Sequence, residues 1–500
     1  MKPFQQLKAF ALVLMTLGFA ACETSNNHAF SPPIGPEPTA MLLEVQGEQY
    51  VVDLNSTDTL NLRTLCAEFG PVEFKVLNDE DFKSISIYQK PVTDGVAEID
   101  FYGNIPLDEQ MTCVYTTANG GGSFLINTYP SKAPKYIKSG TSAEIPGDFY
   151  LSFIYQPLIM KVDNSGSLLY YRFEPTDYNG TFKELGCWDF KKHVFDDGKT
   201  YYSYHAPDWK FGENATTGYV PGMRILMDDH YNPIDTIHAL ASLDGYLPDG
   251  SPLDGHDFYF FSPTHWIASA SYIKRDLLDG TTRAVAYLQE VDNGKVVFDW
   301  WSSRHPELKT MGSPEFDTDD DYVHFNSIDV LPDGNWLVSF RALSTIAVIN
   351  REDGSFNCKF KGDVRDSEES TVYFSGQHYV RYHEMDGKHY ITLFNNGNAT
   401  GTTSAVRLEV ENVNTNSLNI KRVENLLDSS FPKYFTQACG ALDYFGDQGF
   451  VMGWGWSTDP GNCTRLVSEF DRNGKEIFRL DRDDPDPMSV DPSYRCVKCP

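Results

Sequence analysis

Five side chains in the second half of this chain could do chemistry together: His256, His324, Asn326, Arg341 and His378. Three of them belong to one stretch, DYVHFNSIDVLPDGNWLVSFR, residues 321–341. An Asp-Gly turn between alternating strands is a strong hairpin signal. If the chain reverses around Asp333-Gly334, Leu331 faces Trp336 and Asn326 faces Arg341. Side chains alternate across a strand, and directly opposed residues share a face. His324, Asn326 and Arg341 are therefore expected on one patch, provided the register does not slip by one residue. His378 follows Ser375-Gly376-Gln377 at the start of another strand, and His256 has the same relation to its own strand in PLDGHDFYFF. Arg381 would not share a face with His378 on an ideal strand, so it reads as structural.

The donors define what such a set could hold. A guanidinium offers a forked pair of N–H groups to sulfate or phosphate, an amide offers one more, and neutral imidazole is a nucleophile. The set suits a tetrahedral oxyanion. Histidine also ligates metals, but there is no HExxH, no close histidine pair with carboxylate spacing and no paired CxxC, so no metal is expected. DTDDDY places Asp317, Asp319 and Asp321 like the start of a calcium loop, yet Tyr322 stands where an EF-hand needs glycine. That run reads as a solvated acidic loop. No P-loop, GxSxG or GxGxxG leading into a helix is present, so neither a nucleotide cofactor nor a serine hydrolase is indicated. A plain alternative remains open: histidines buried in a core and satisfied by their neighbours. His193, His205, His265, His383 and His389 read as structural or surface residues.

The elements that must carry these groups are strands. Residues 41–135 run in short alternating segments such as MLLEVQGEQYVVDL and SFLINTY, the pattern of a small β-sandwich domain, and PSKAPKY then reads as a linker. From about residue 140, strand-turn-strand units recur: IMKVDNSGSLLYYRF, YLQEVDNGKVVFDWW, VSEFDRNGKEIFRL and, with a different turn, YHEMDGKHYITLFNNG. Paired as four-stranded blades, five or six such units fit, which points to an all-β chain with a β-propeller over 140–500. Two stacked sandwiches are the alternative. In a propeller the innermost strand of each blade lines the channel, so residues near strand starts gather at one mouth.

Composition bounds the partners. With 70 acidic against 41 basic residues the formal charge is −29, a field that opposes nucleic acid and anionic membranes. Any anionic substrate must meet a local basic pocket. The N-terminus, MKPFQQLKAFALVLMTLGFAAC, reads as a signal peptide over 1–22 ending in a lipobox with Cys22 as the lipidated residue, simple cleavage being the alternative. Residues 23–40 form a Pro-rich tether, so the expected membrane contact is an N-terminal lipid anchor alone. Setting Cys22 apart from the nine cysteines leaves eight. In an exported chain these point to disulfides, with Cys66–Cys113 one candidate pair and Cys496–Cys499 read as a terminal clip or as halves of longer links.

DGHDF, DYVHFNSIDVLPDGNWLVSFR, GQHYVRYHE and ITLFNNG, in this order, resemble the arylsulfate sulfotransferases (arylsulfotransferases), with likeness running from about 140 to SYRCVK. The resemblance implies a six-bladed propeller preceded by a β-sandwich, exported by a bacterium to the periplasm or held at its outer membrane. It implies nucleotide-independent movement of a sulfuryl group from a phenolic sulfate ester to a phenol, without a cofactor. A homodimer is compatible with it. It matches His378 to the transiently sulfated histidine and His256 to the group that handles the phenolic proton or binds sulfate, a nearby tyrosine being the alternative for the proton. It matches His324, Asn326 and Arg341 to the sulfate cradle. An aryl sulfate hydrolase and a catalytically silent binding propeller are the competing functions.

Overall fold

The computed structural model describes residues 37–101, 105, 107, 110–129, 133–142, 145–174, 185–208, 210–211, 218–270, 273–311, 321–365, 371–413, 418–457, 464–483 and 492–500. The expected leader, Cys22 and most of the tether lie outside them, as do Asp317, Asp319 and Cys463. Among the described residues the chain is all-β, with a few 3₁₀ turns and no α-helix. No helix among them is long and apolar enough to cross a membrane.

Strands between 40 and 127 form two sheets. One contains Ala40–Val45, Glu48–Asp53, Val72–Val76 and Val96–Ile99, and the other is centred on Gln110–Thr116 and Gly121–Asn127. Alternation sets the inward face: Met41, Leu43 and Val45 are buried, and they share one core with Ile85, Ile87, Phe124 and Ile126 of the other sheet. This segment is not self-contained. Its strand Thr64–Cys66 extends the sheet of Leu168–Phe173, and its core continues into Phe149, Leu151 and Leu480.

From residue 148 onward the described strands include six runs of four antiparallel neighbours, two of them joined through Gly222–Leu253 into one larger sheet, and two separate hairpins, Ile273–Asp276 with Thr282–Val285 and Asp363–Arg365 with Thr371–Tyr373. Five begin at Trp188–Val194, Leu253–Ser262, Phe325–Val330, His378–Met385 and Ala441–Tyr444. The sixth begins with the C-terminal strand Ser493–Cys499, which pairs with Asp148–Phe153 and so ties the chain end to its own start. These six leading strands touch one another in cyclic order, and Ser493–Cys499 lies between Trp188–Val194 and Ala441–Tyr444. The repeated hairpins are formed where the turn residues place them; Asn293-Gly294, for instance, takes positive φ at both positions.

The register expected around Asp333-Gly334 is not the one adopted. Val330 pairs with Trp336, Ile328 with Val338 and Ser327 with Ser339, one residue away from the expected alignment. The cause is a three-residue connection: the Gly334 N–H donates to Leu331 O, the Leu331 N–H to Asn335 O, and Gly334 has φ 83°. A type I turn closed by a left-handed residue inserts one more position than a two-residue turn. Asn326 is then bulged out between Phe325 and Ser327, so Phe325 pairs with Phe340. The Arg341 N–H donates to His324 O at 2.9 Å. Arg341 therefore lies opposite His324, not Asn326.

The expected Cys66–Cys113 link is absent, since both are buried free thiols on strands of different sheets. Burial pushes each thiol up to about 12. Cys496 and Cys499 sit three residues apart on one strand and are also free. An odd spacing on a strand sends side chains to opposite faces, which prevents a clip.

Buried charges join the leading strands. Asp189 accepts from Arg224 at 3.0 Å and from Arg495 at 2.6 Å, and Lys191 bridges Asp189 and Asp257 at 3.0 and 2.6 Å. Nearby, the Asp443 carboxylate accepts the Lys498 N–H at 2.8 Å, and burial raises its pKa to about 6. A carboxyl raised in the folded state holds its proton better there than when unfolded, so its contribution to stability falls as pH rises between the two values. Relative to wild type, Asp443→Asn should gain about 2 kcal/mol between about pH 4 and about pH 7.5. Urea titrations of both proteins at the two pH values measure this, and an unchanged difference would contradict the assignment.

Candidate active site

Four of the five candidate residues sit where leading strands start irregularly. Pairing is interrupted between Leu253 and Phe258 around His256, at Asn326, and between His378 and Arg381. His324 (φ 47°), Tyr379 (φ 54°) and Cys439 (φ 64°) all take left-handed backbone conformations there. Such residues are uncommon outside glycine and cluster where a side chain must be re-aimed.

His378 is 2% exposed, and its hydrogen bonds define its tautomer. Nδ1 lies 2.7 Å from Asn396 Oδ1 and 3.0 Å from Gly376 O. The Asn396 amide nitrogen donates to Thr436 O and Cys439 O, which leaves its oxygen as an acceptor. Nδ1 therefore carries the proton. Nε2 accepts the Cys439 backbone N–H at 3.2 Å and keeps its lone pair. Burial, reinforced by the charge of Arg341, holds the ring well below the usual histidine range, so it is neutral.

His256 and His324 come together edge to edge. Their Nε2 atoms are 3.2 Å apart, and each Nδ1 faces a carboxylate: Asp254 Oδ1 at 2.8 Å from His256, Asp321 Oδ2 at 2.5 Å from His324. Tyr219 donates its hydroxyl to the other Asp321 oxygen at 3.0 Å, and its ring lies 4.9 Å from that of His324. Gly218, at φ 90°, presses against this ring: a Cβ there would meet His324 Cε1 at 2.8 Å. Trp188 packs edge-on against His256 and stacks on Tyr494.

Arg341 is half-buried, donates to Gln437 O at 3.2 Å, and its charge bears on both His324 and His378. Asn326 is fully buried; its amide nitrogen donates to Gln377 O at 2.7 Å, while Oδ1 has no hydrogen-bond partner among the described residues. All five residues thus gather around one locus. Arg381 is not among them: it is tied to Asp257 at 2.8 Å, a structural position. His193, His205, His265, His383 and His389 each bond Ser203, Val220, Glu290, Thr392 and Tyr382 in turn.

Residues 277–483 match the family model described as arylsulfotransferase (ASST). That stretch belongs to the arylsulfotransferase family. It contains His324, Asn326, Arg341, His378 and Asn396; His256 lies outside it. No curated protein matched the chain. Among solved structures, a protein of unknown function from Bacteroides caccae is 13% identical with a TM-score of 0.39, covering 70% of this chain and 98% of its own. The β-propeller domain of Myceliophteria thermophila Cps50 (Swd1) is 10% identical with a TM-score of 0.37, covering 70% and 90%. A virginiamycin B lyase from Staphylococcus aureus is 11% identical with a TM-score of 0.32, covering 82% and 98%. At these scores none of the three defines the fold or activity of this chain.

Three residues of this site escaped the sequence reading. Asp321 belonged to a run read as a solvated loop, but it is the hydrogen-bond partner of His324. Asp254 lies in DGHDF and Asn396 in ITLFNNG, where neither residue type alone declares a role. Asp-x-His at 254–256 and Asp-x-x-His at 321–324 are spacings that let a carboxylate reach back to a ring nitrogen, and they were the available signal. Asn396 acts from a different strand end, so no local spacing reports it.

Proposed function

We propose that this protein moves a sulfuryl group from a phenolic sulfate ester to a phenol through a sulfohistidine at His378. The observation that carries the reading is the His378 ring, neutral by burial, with Nδ1–H held by Asn396 and the lone pair left on Nε2. In the first half-reaction Nε2 attacks sulfur, the N–S bond forms and the S–O bond to the aryl oxygen breaks. The incoming sulfur replaces the Cys439 N–H contact at Nε2. In the second half the phenol oxygen attacks sulfur and the N–S electrons return to Nε2. Splitting the transfer this way implies ping-pong kinetics. Arg341 is the donor to the developing charge on the sulfuryl oxygens, where preorganised donors act most strongly, and Asn326 and His324 border the same locus with their own hydrogen bonds to Gln377 and to Asp321 and His256.

The fold that supports this reading is a six-bladed propeller, its blades the six four-stranded groups, preceded by a sandwich made of the two N-terminal sheets. The cyclic contacts of the leading strands support closure. Export, with lipidation at Cys22, rests on the N-terminal sequence.

Incubation with p-nitrophenyl sulfate, with and without phenol, tests the reading. Release of p-nitrophenol that requires phenol, with a sulfated His378 peptide found by mass spectrometry, is expected. Release independent of phenol would make the protein a hydrolase. No release, with sulfate still bound, would leave a binding module. Arg341→Met should lower kcat by about 10²- to 10³-fold, the usual effect of removing one preorganised donor. A change of less than about threefold would remove Arg341 from the cradle.

A further inference from the structure

Beneath the His378 chemistry lies a four-group chain with its own proton arithmetic: Asp254, His256, His324, Asp321. It contains three contacts of 2.8, 3.2 and 2.5 Å. A carboxylate, two imidazoles and a second carboxylate cannot stand at those separations with lone pair against lone pair. Each contact needs one proton, and each has room for one only. Two protons fill the Nδ1 positions facing Asp254 and Asp321. The third must sit between the two Nε2 atoms.

We infer that His256 and His324 share a single proton between their Nε2 atoms, held in place by Asp254 and Asp321, and that this pair serves the departing and arriving aryl oxygens. The assembly of two carboxylates and a singly protonated pair carries one net negative charge. Burial disfavours a second proton on His324 against the pull of Asp321. Asp321 itself stays ionised: burial alone would raise it, but His324 and the Tyr219 hydroxyl bring it below its ordinary value. The other charged or titratable groups facing the pair are Tyr219, Arg341, His378, His205 and Tyr494. Among the described residues Asp254 Oδ2 is buried without a hydrogen-bond partner, while Oδ1 accepts the His256 backbone N–H and faces its Nδ1, both at 2.8 Å.

The second half of this inference rests on the sulfohistidine reading. As the S–O bond breaks, the shared proton passes to the aryl oxygen, which leaves as a neutral phenol; the pair keeps its two Nδ1 protons, and its two bare Nε2 atoms move apart until a proton returns. When a phenol attacks, its O–H proton returns to the space between the Nε2 atoms. No other reactant is required. Asp254 and Asp321 act through the rings and are positioning residues.

Two measurements test this. The first uses the full chain labelled with ¹⁵N-histidine and long-range ¹H–¹⁵N correlation spectra, the two rings being assigned by the signals lost in His256→Gln and His324→Gln. Both Nδ1 atoms should be protonated, both Nε2 signals should fall between the protonated and bare positions, and the pair should release one proton as a unit. Two rings that titrate independently, or either ring with a bare Nδ1, would overturn the shared proton. The second compares Asp321→Asn with wild type on phenyl sulfate and p-nitrophenyl sulfate. A poorer leaving group depends more on proton delivery, so the variant should lose at least about tenfold more on phenyl sulfate than on p-nitrophenyl sulfate. Equal losses on both esters would overturn the proton-delivery role. If the spectra show the shared proton while the wild type turns over neither ester, the sulfotransfer reading fails and the pair stands.

Discussion

His378→Asn should abolish the proposed sulfuryl transfer: the expected fall in kcat is on the order of 10⁴- to 10⁶-fold, the range seen when a residue of a covalent catalytic unit is removed. Asparagine offers an amide of similar reach but no nucleophilic lone pair. The sulfated peptide disappears with the activity, while an aryl sulfate should still bind, because Arg341, Asn326 and His324 are untouched. The denaturation midpoint should move little, since the ring's ties are two acceptors at Nδ1 and one donor at Nε2. The pH profile carries a second expectation. On the sulfohistidine reading His378 loses activity only when it is protonated, and burial places that event well below the usual histidine range. No acid limb from His378 should therefore fall near pH 6.5, and any limb seen there belongs to another group. Persistence of transfer in His378→Asn, or sulfation of a different histidine, would end the assignment.

Hairpins were legible because Asp-Gly and Asn-Gly turns act locally: Asn293-Gly294 needs nothing beyond its own backbone. Register was not legible at Asp333-Gly334, where two local events add. The three-residue connection moved the pairing by one, and the bulge at Asn326 moved it by one more in the same direction. Arg341 reached the expected neighbourhood by a different route, opposite His324. Asp321 shows a second kind of failure. An acidic run is usually solvated, and only the carboxylate three residues before a histidine distinguishes this one. Cys66 and Cys113 show a third: nearness in sequence and the expectation of export favour a pair, whereas sheet membership decides against it. Charge pairing between Asp189, Asp257, Arg381 and Arg495 was invisible altogether, because it joins residues from 189 to 495 across four leading strands.

That network sets the second large expectation. Asp257 follows His256 directly and accepts from Lys191, from Arg381 and from the Ile328 N–H at 2.9 Å. It therefore pins the strand of His256 to the strand of Asn326 and to the strand of His378. Arg381 and Lys191 hold its carboxyl well below the usual carboxylate range despite burial that works the other way. Asp257→Ala should cost about 3–5 kcal/mol, as expected when one partner of a buried ion cluster is removed and cations are left uncompensated. A carboxyl depressed in the folded state stabilises above its unfolded value and loses that contribution as pH falls towards its folded one. The gap between wild type and Asp257→Ala should thus hold through neutral pH and narrow only below about pH 4. Adding Lys191→Met removes one of the orphaned cations, so the double variant should recover part of the loss. Activity should fall with the single variant and return in part with the double. If Asp257→Ala destabilised by less than about 1 kcal/mol, the strands carrying the three histidines would be held by their apolar faces alone, and Asp257 would not be what keeps His256 in reach of His324.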